Sequence, residues 1–411
     1  MKVGFISLGC SKNLIDTEMG ISIFKENKFE IVNNPQDAEM IVVNTCGFIA
    51  SAKEEAINTI LEMAEYKKKK CKYLIAMGCL VKRYKSELEK AIPEVDLWIS
   101  IDEYKDFWQK ISTLIGKKVD KSSYNYMNYR NRTITTGKKQ AYLKIAEGCD
   151  NFCTYCAIPY IRGRFESRPF EEIIDEAEAL AKQGYEELIV IAQDTTKYGI
   201  DLYGKLRLPE LLNELCKIKK IKWIRFLYAY PESITDELIS VVKNNPKICN
   251  YFDIPIQHFS NSILKKMNRK TNKNSIISIV NKIRKEIPDV ILRTSLIVGF
   301  PGETEEDFNI LKEAVETLKF DRLGCFTYSK EDGTPAAKFD GQVHESTKKK
   351  RRNIIMKIQN QIARVSLESR IGKTYEVLIE DISDDELYFV RKKLYGFSRY
   401  RWCNLCSKDR R

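Results

Sequence analysis

Short apolar runs alternate with stretches of helical spacing along most of this 411-residue chain, and that alternation limits the fold more than any other feature. Residues 2–8, 39–45, 72–77 and 95–99 are apolar or β-branched runs, each followed by a helix-like stretch such as Leu14 to Phe24 or Ala52 to Ala64. Strand–helix alternation predicts a parallel sheet with helices on both faces and right-handed crossovers. A second series follows, with strands near 141–146, 187–192, 223–228, 250–254, 290–298 and 322–327 and helices such as 170–183 and 304–318. Six such units predict a full or partial (β/α) barrel. Between the series, residues 121–139 are polar and aperiodic and read as a linker. Residues 346–369 read as a helix with Ile354, Ile358, Ile362 and Val365 on one face, capped by Ser346 or Thr347. Thr374 to Ile379 and Leu387 to Val390 then alternate like strands of a small β module. The expected fold class is α/β in successive parts: an N-terminal α/β sandwich over 1–120, a barrel over 140–345, a connecting helix over 346–370 and the β module over 371–411.

Where the cysteines fall matters more than how many there are. No apolar run approaches the ~18 residues of a membrane-spanning helix, and the start is too short for a signal peptide, so a cytoplasmic protein is expected. Twelve cysteines in a reducing compartment are more often metal ligands or catalysts than disulfides, and with only two histidines (His258 and His344) cysteine must carry any metal. Cys10 follows the run 2–8, Cys46 follows 39–45 and Cys79 follows 72–77, each beside a glycine (Gly9, Gly47, Gly78). Parallel strands end on one edge, so three cysteines just past three strand ends converge without sequence proximity. The glycines let the backbone turn tightly around a bulky ligand.

A second set is local. Cys149, Cys153 and Cys156 form a C-x3-C-x2-C arrangement just after the strand Tyr142 to Ala146, where loops of βα barrels bind ligands. Three thiolates can satisfy three irons of a cubane and leave the fourth open, whereas a structural zinc needs a fourth protein ligand.

This loop, with an aromatic before its last cysteine, resembles that of the radical S-adenosylmethionine enzymes. The resemblance implies a 4Fe-4S cluster on Cys149, Cys153 and Cys156, with Tyr155 near the adenosyl group of S-adenosylmethionine and a radical able to abstract hydrogen from an unactivated carbon. Two cysteine triads in this order look like the methylthiotransferases, which carry an N-terminal cluster domain, a radical barrel and a C-terminal TRAM module. Within them, the segments Phe5 to Leu14, Ala146 to Asn151 and Tyr251 to His258 are most similar to the group that methylthiolates the β-carbon of an aspartate in small-subunit ribosomal protein S twelve. That implies a second 4Fe-4S cluster on Cys10, Cys46 and Cys79, two roles for S-adenosylmethionine (methyl donor and radical source), and a partner in or near the ribosome. The resemblance further implies cofactor contacts from Gln193 and Asp194 after the strand Glu187 to Ala192, and from Arg293 and Ser295 at a strand end. Gln257 and His258 are placed to line a substrate opening, although a lone barrel histidine also reads as a hydrogen-bonded structural group.

The remaining cysteines carry less. Cys71 begins a strand, at the wrong edge for a cluster, while Cys216, Cys249 and Cys325 read as core fillers. Cys403 and Cys406 have metal spacing without partners. Of the +12 net charge, residues 346–411 supply +9 (17 basic, 8 acidic), which suggests a nucleic acid or ribonucleoprotein partner. Arg391 to Arg411 no longer resembles the family, and about 40 residues after Ile371 are too few to close a small barrel, so an incomplete module with an altered, basic tail is expected. Two other functions fit the same residues: a tRNA adenosine methylthiotransferase, since the triads alone do not select the substrate, and a non-catalytic iron-sulfur or zinc protein that binds RNA.

Overall fold

The computed structural model describes residues 1–117, 127–129, 132–382, 388–393 and 404–407. The chain divides into two compact units, one of residues 1–135 with 156–164 and 329–334, the other of 136–155, 165–328 and 335–411.

In the first unit, β1 (Lys2–Ser7), α1 (Ser11–Glu26), β2 (Glu30–Val32), β3 (Met40–Thr45), α2 (Ala50–Ala64), β4 (Tyr73–Gly78), α3 (Cys79–Ala91), β5 (Leu97–Ile99) and α4 (Phe107–Leu114) build a parallel sheet in the order β2-β1-β3-β4-β5. The four expected strands are present; β2 is an additional three-residue edge strand too short to show a period. β3 is buried along its whole length, and its alternation splits the core. Ile41 and Val43 enter one cluster with Ala56, Ile60, Leu74, Ala76 and Leu80. Met40 and Val42 enter another with Ile23, Phe24, Phe107 and Trp108, where Phe24 meets Trp108 edge to face at 5.5 Å. Short α5 (Ile158–Arg162) belongs to this unit, its Ile161 packing with Cys79 and Ala157. So does Glu331, buried between Lys53 at 2.9 Å and Arg83 at 3.1 Å. Of the expected linker, Thr135 donates its amide to Glu18 at 2.7 Å and Arg132 pairs with Glu18 at 3.2 Å, while 118–126, 130 and 131 lie outside the described residues.

The second unit contains β6 (Gln140–Lys144), β7 (Ala146–Glu147), β8 (Glu166–Ser167), α6 (Phe170–Lys182), β9 (Glu187–Ile191), α7 (Ile200–Tyr203), α8 (Leu208–Lys217), β10 (Trp223–Phe226), α9 (Asp236–Asn244), β11 (Tyr251–Gln257), α10 (Asn261–Lys266), α11 (Lys273–Glu286), β12 (Ile291–Val298), α12 (Glu305–Leu318), β13 (Arg322–Thr327) and α13 (Glu345–Glu368). The parallel triplets β6-β9-β10 and β11-β12-β13 are linked by a bridge between Ile224 and Ile248, so six strands follow one another in sequence order, as a partial barrel requires.

Helix α13 departs from its sequence pattern in two ways. Its cap is His344, whose ring accepts from the Ser346 amide at 3.3 Å, rather than Ser346 or Thr347. Its buried face is Lys348, Arg351, Ile355 and Gln359, while Val365 is 65% exposed. Polar partners choose that face: Arg351 reaches the buried Glu303 carboxylate at 2.9 Å and Gln359 donates to the Phe320 carbonyl at 2.9 Å. Beyond it, β14 (Val377–Ile382), β15 (Tyr388–Lys393) and β16 (Asn404–Ser407) pair antiparallel in that order. Thus β15 runs past Val390 and β16 lies within the basic tail; Cys406 sits on β16, and Cys403 with the rest of the tail lies outside the described residues. Among the described residues no helix is long and apolar enough to cross a membrane.

Candidate active site

The strand order of the first unit puts its topological switch between β1 and β3, where doubly wound sheets bind ligands beyond the strands' carboxyl ends. Cys10 caps α1 just past β1, Cys46 follows β3, and Cys79 opens α3 directly after β4. The loops touch through the three glycines. A Cβ on Gly9 would stand 2.7 Å from Cys46 Cβ, and one on Gly47 would stand 2.8 Å from the Leu80 amide nitrogen. Gly78 has a left-handed φ of +104°, and a Cβ there would lie 2.3 Å from Asn44 Oδ1. Asn13 staples the edge by donating to the Leu8 and Thr45 carbonyls at 3.1 and 2.8 Å, while Thr45 Oγ1 donates to the Met77 carbonyl at 2.7 Å.

The three sulfurs stand close enough to act on one another's charge. Burial pushes the Cys79 thiol up to about 12, Arg162 pulls it back, and the nearby sulfurs of Cys10 and Cys46 push it further. Burial raises Cys46 as well, helped by Cys10. Thiols such as Cys46 and Cys79, whose burial opposes ionisation, suit a cationic centre that binds them as thiolates. An all-sulfur donor set points to iron or zinc rather than magnesium or calcium. Among the described residues no group of three or more His, Cys, Asp and Glu is set around a single metal ion. A cubane engages each thiolate through a different iron and needs no such common point.

The C-x3-C-x2-C loop follows β7. Cys149 and Cys153 are buried and group with the second unit; Cys156 is half-buried and groups with α5 in the first. Burial pushes the Cys149 thiol up to about 11, and the charges of Asp194 and Cys153 add to it. Phe152 holds a left-handed φ of +46°, a conformation its surroundings must impose. Those surroundings are hydrogen bonds: Asn151 donates to Asp194 at 2.8 Å, Asn268 donates to the Phe152 carbonyl at 3.0 Å, and Thr154 donates to the Lys266 carbonyl at 2.8 Å. Arg269, stacked 4.2 Å from the Tyr230 ring centroid, points Nη1 at Cys153 Sγ from 3.9 Å.

The residues expected at the cofactor take distinct positions. Tyr155 packs against Ile263, Met267, Phe300 and Tyr328. Gln193 follows β9 and donates to Glu147 at 2.7 Å, while its Oε1 is buried without a hydrogen-bond partner, an orphan acceptor that a ligand donor would satisfy. Asp194 is fully buried, its two oxygens taken by Asn151 and Thr196, so it orients the cysteine loop. Arg293 and Ser295 are not at a strand end: they are the third and fifth residues of β12, on one face, with Arg293 paired to Asp253 at 3.1 Å. Gln257 ends β11 with a left-handed φ of +75°. His258 is fully buried, accepting from the Ser260 amide at 2.9 Å with Nε2 3.6 Å from Glu303, as a structural histidine would be. Cys71 accordingly sits at the opposite edge, donating to the Tyr73 carbonyl at 3.2 Å; Cys249 and Cys325 are buried in the second unit and Cys216 is half-buried there.

A radical SAM superfamily model matches residues 143–315, and a model described as uncharacterized protein family UPF0004 matches residues 2–100. The ribosomal protein uS12 methylthiotransferase RimO of Alkaliphilus oremlandii is 64% identical over 390 residues, 95% of this chain and 89% of that protein. The chain belongs to the RimO family. The RimO of Clostridium botulinum is 53% identical over 94% of this chain and 88% of its own length. Among solved structures, the radical S-adenosylmethionine methyltransferase TsrM from Kitasatospora setae, with cobalamin and a 4Fe-4S cluster bound, matches with a TM-score of 0.59 at 12% identity, over 82% of this chain and 76% of that one. The cobalamin-dependent enzyme OxsB, with aqua-cobalamin and S-adenosylmethionine bound, matches at 0.54 and 13%, over 91% and 62%. At such identities the likeness is one of fold.

Sequence reasoning missed Arg162, Asp16, Asn151 and Arg269. The signal available was weak: charged or amide side chains inside otherwise apolar or cysteine-bearing segments.

Proposed function

We propose that this chain is a radical S-adenosylmethionine methylthiotransferase that adds a methylthio group to the β-carbon of an aspartate in ribosomal protein uS12. The observation that carries the reading is the 64% identity to a RimO across nearly the whole of both chains. The partner is uS12 in or near the ribosome, and the place of action is the cytoplasm. Residues 1–120 and 140–345 would be the two cofactor-bearing parts, with 371–411 as the TRAM-like module.

Two 4Fe-4S clusters are proposed, one on Cys149, Cys153 and Cys156, the other on Cys10, Cys46 and Cys79. When bound, a cluster with an open iron supplies the single electron that S-adenosylmethionine cleavage requires. The protein's share is placement. Asp194 fixes Asn151 and so the cysteine loop; Gln193 would offer its orphan amide oxygen to a donor on the cofactor; Tyr155 gives an aromatic wall. Arg293 and Ser295, on one face of β12, would meet the cofactor's polar groups, with Asp253 holding the guanidinium in place.

The test is to co-express the chain with uS12 in a host lacking its own enzyme and to measure intact mass and fragment ions. A gain equal to SCH3 replacing one hydrogen on an aspartate is expected. An unmodified uS12 alongside methylthiolated tRNA adenosine would reassign the substrate, and the absence of both with no cofactor cleavage would leave a non-catalytic protein.

A further inference from the structure

We infer that Arg162 is a positioning residue of the first cysteine triad, giving the Cys79 sulfur a fixed cationic donor and holding the Asn13 amide that ties the triad's loops together. The inference rests on the reading that Cys10, Cys46 and Cys79 carry an iron-sulfur cluster.

Arg162 lies on α5 with its side chain only 2% exposed. Its Nη2 stands 2.8 Å from Asp16 Oδ2, 2.5 Å from Asn13 Oδ1 and 3.6 Å from Cys79 Sγ. Asp16 is equally buried, so the pair is a neutral unit and each member depends on the other. Asn13 also receives a hydrogen bond from Cys79 at 3.2 Å through the same Oδ1, while its Nδ2 spans the carbonyls of Leu8 and Thr45 at the ends of β1 and β3. One guanidinium therefore fixes the rotamer of the side chain that joins two triad loops, and points at the sulfur of the third.

A guanidinium keeps its proton at every working pH, so this donor is permanent. Donors and positive charge near a ligand sulfur stabilise the more negative, reduced form of a cluster and raise its potential. Asp16, bound to the same Nη2, opposes that effect, but of the two it is the guanidinium that contacts the sulfur.

The experiment uses the full chain carrying C149A, C153A and C156A, so that only the first triad can load iron. It compares iron per chain and an EPR-monitored redox titration after anaerobic reconstitution. The parent should load iron. R162L should shift the midpoint to more negative potential and broaden the EPR signal. R162L with D16N, which removes the stranded carboxylate, should shift it less in the same direction, and R162K least. Unchanged midpoint and spectrum in R162L/D16N, folded by circular dichroism and loaded with as much iron, would overturn the inference. Should both leucine variants fail to fold, an unchanged midpoint and spectrum in R162Q, which removes the charge but keeps an amide donor, would do the same. A parent that loads no iron would overturn the cluster reading itself, and the inference with it, before any Arg162 variant is made.

Discussion

Both cysteine triads have a buried guanidinium beside one sulfur, but the two guanidiniums are balanced differently. Arg162, beside Cys79, is neutralised by the buried Asp16 at 2.8 Å. Arg269, beside Cys153, makes no ion pair among the described residues; it donates to the Pro255 carbonyl at 3.1 Å, lies over Tyr230, and leaves its buried Nε without a hydrogen-bond partner. A face-on aromatic ring offsets part of a cation's cost and cancels none of its charge. The first triad is thus set in a neutral, tightly stapled edge of a doubly wound sheet. The second sits on a loop of mixed charge, with the Arg269 guanidinium beside Cys153 and the buried Asp194 bound to Asn151 and acting on Cys149. The same three-cysteine ligand set can therefore be given different surroundings by the strands that present it.

Separating the two triads should produce the largest effect. Replacing Cys149, Cys153 and Cys156 with alanine should abolish both S-adenosylmethionine cleavage and uS12 methylthiolation. Replacing Cys10, Cys46 and Cys79 should abolish methylthiolation but leave cleavage to 5'-deoxyadenosine measurable by chromatography. Loss of cleavage in both variants would erase the functional difference between the sites.

The next effect concerns how tightly the first triad's edge is set. Gly78→Ala must place a Cβ 2.3 Å from Asn44 Oδ1 and 2.8 Å from the Thr45 carbonyl at φ +104°. It should cost roughly 3 kcal/mol or more in urea unfolding. Gly163→Ala, at φ +79° and ψ −165° with nothing within 4 Å of the new methyl group, should cost only about 1–3 kcal/mol. Equal costs would mean that the loop contacts at the triad are slack.

A smaller, pH-dependent effect is expected at Glu103, which closes a capping box in the first unit. Burial works against its charge, but Lys85, the Ser100 amide and Lys110 outweigh it and bring the carboxyl to about 2 from 4.5. A depressed carboxylate stabilises the fold fully above about pH 4.5, and that contribution is lost as pH falls toward 2. E103Q should therefore flatten the acid limb of stability in that window, read as urea midpoints across a pH series, and leave the neutral values less affected by pH.

What could be read from the sequence, and what could not, follows from range. The barrel strands and the meeting of Cys10, Cys46 and Cys79 were legible because strand period and strand-end placement are written locally: each of the three falls just past an apolar run, and the structure brings them to one edge. The face of α13 was not, because Glu303 and the Phe320 carbonyl select Arg351 and Gln359 over a more apolar stripe. Arg293 and Ser295 were placed at a strand end although the strand itself, expected over 290–298, runs as Ile291–Val298; their place along it was misjudged, not its bounds. Arg162 was invisible for the same reason as α13's face: its partners, Asn13 and Asp16, lie about 150 residues away in sequence.

The central claim is that one chain carries two iron-sulfur sites with separate ligands. The direct measurement is iron and acid-labile sulfide per chain, after anaerobic reconstitution, in the unmodified protein and in the two triple-alanine variants. The account predicts that each variant retains half of the unmodified protein's iron and sulfide. Full retention in either variant, or complete loss in one of them, would contradict it.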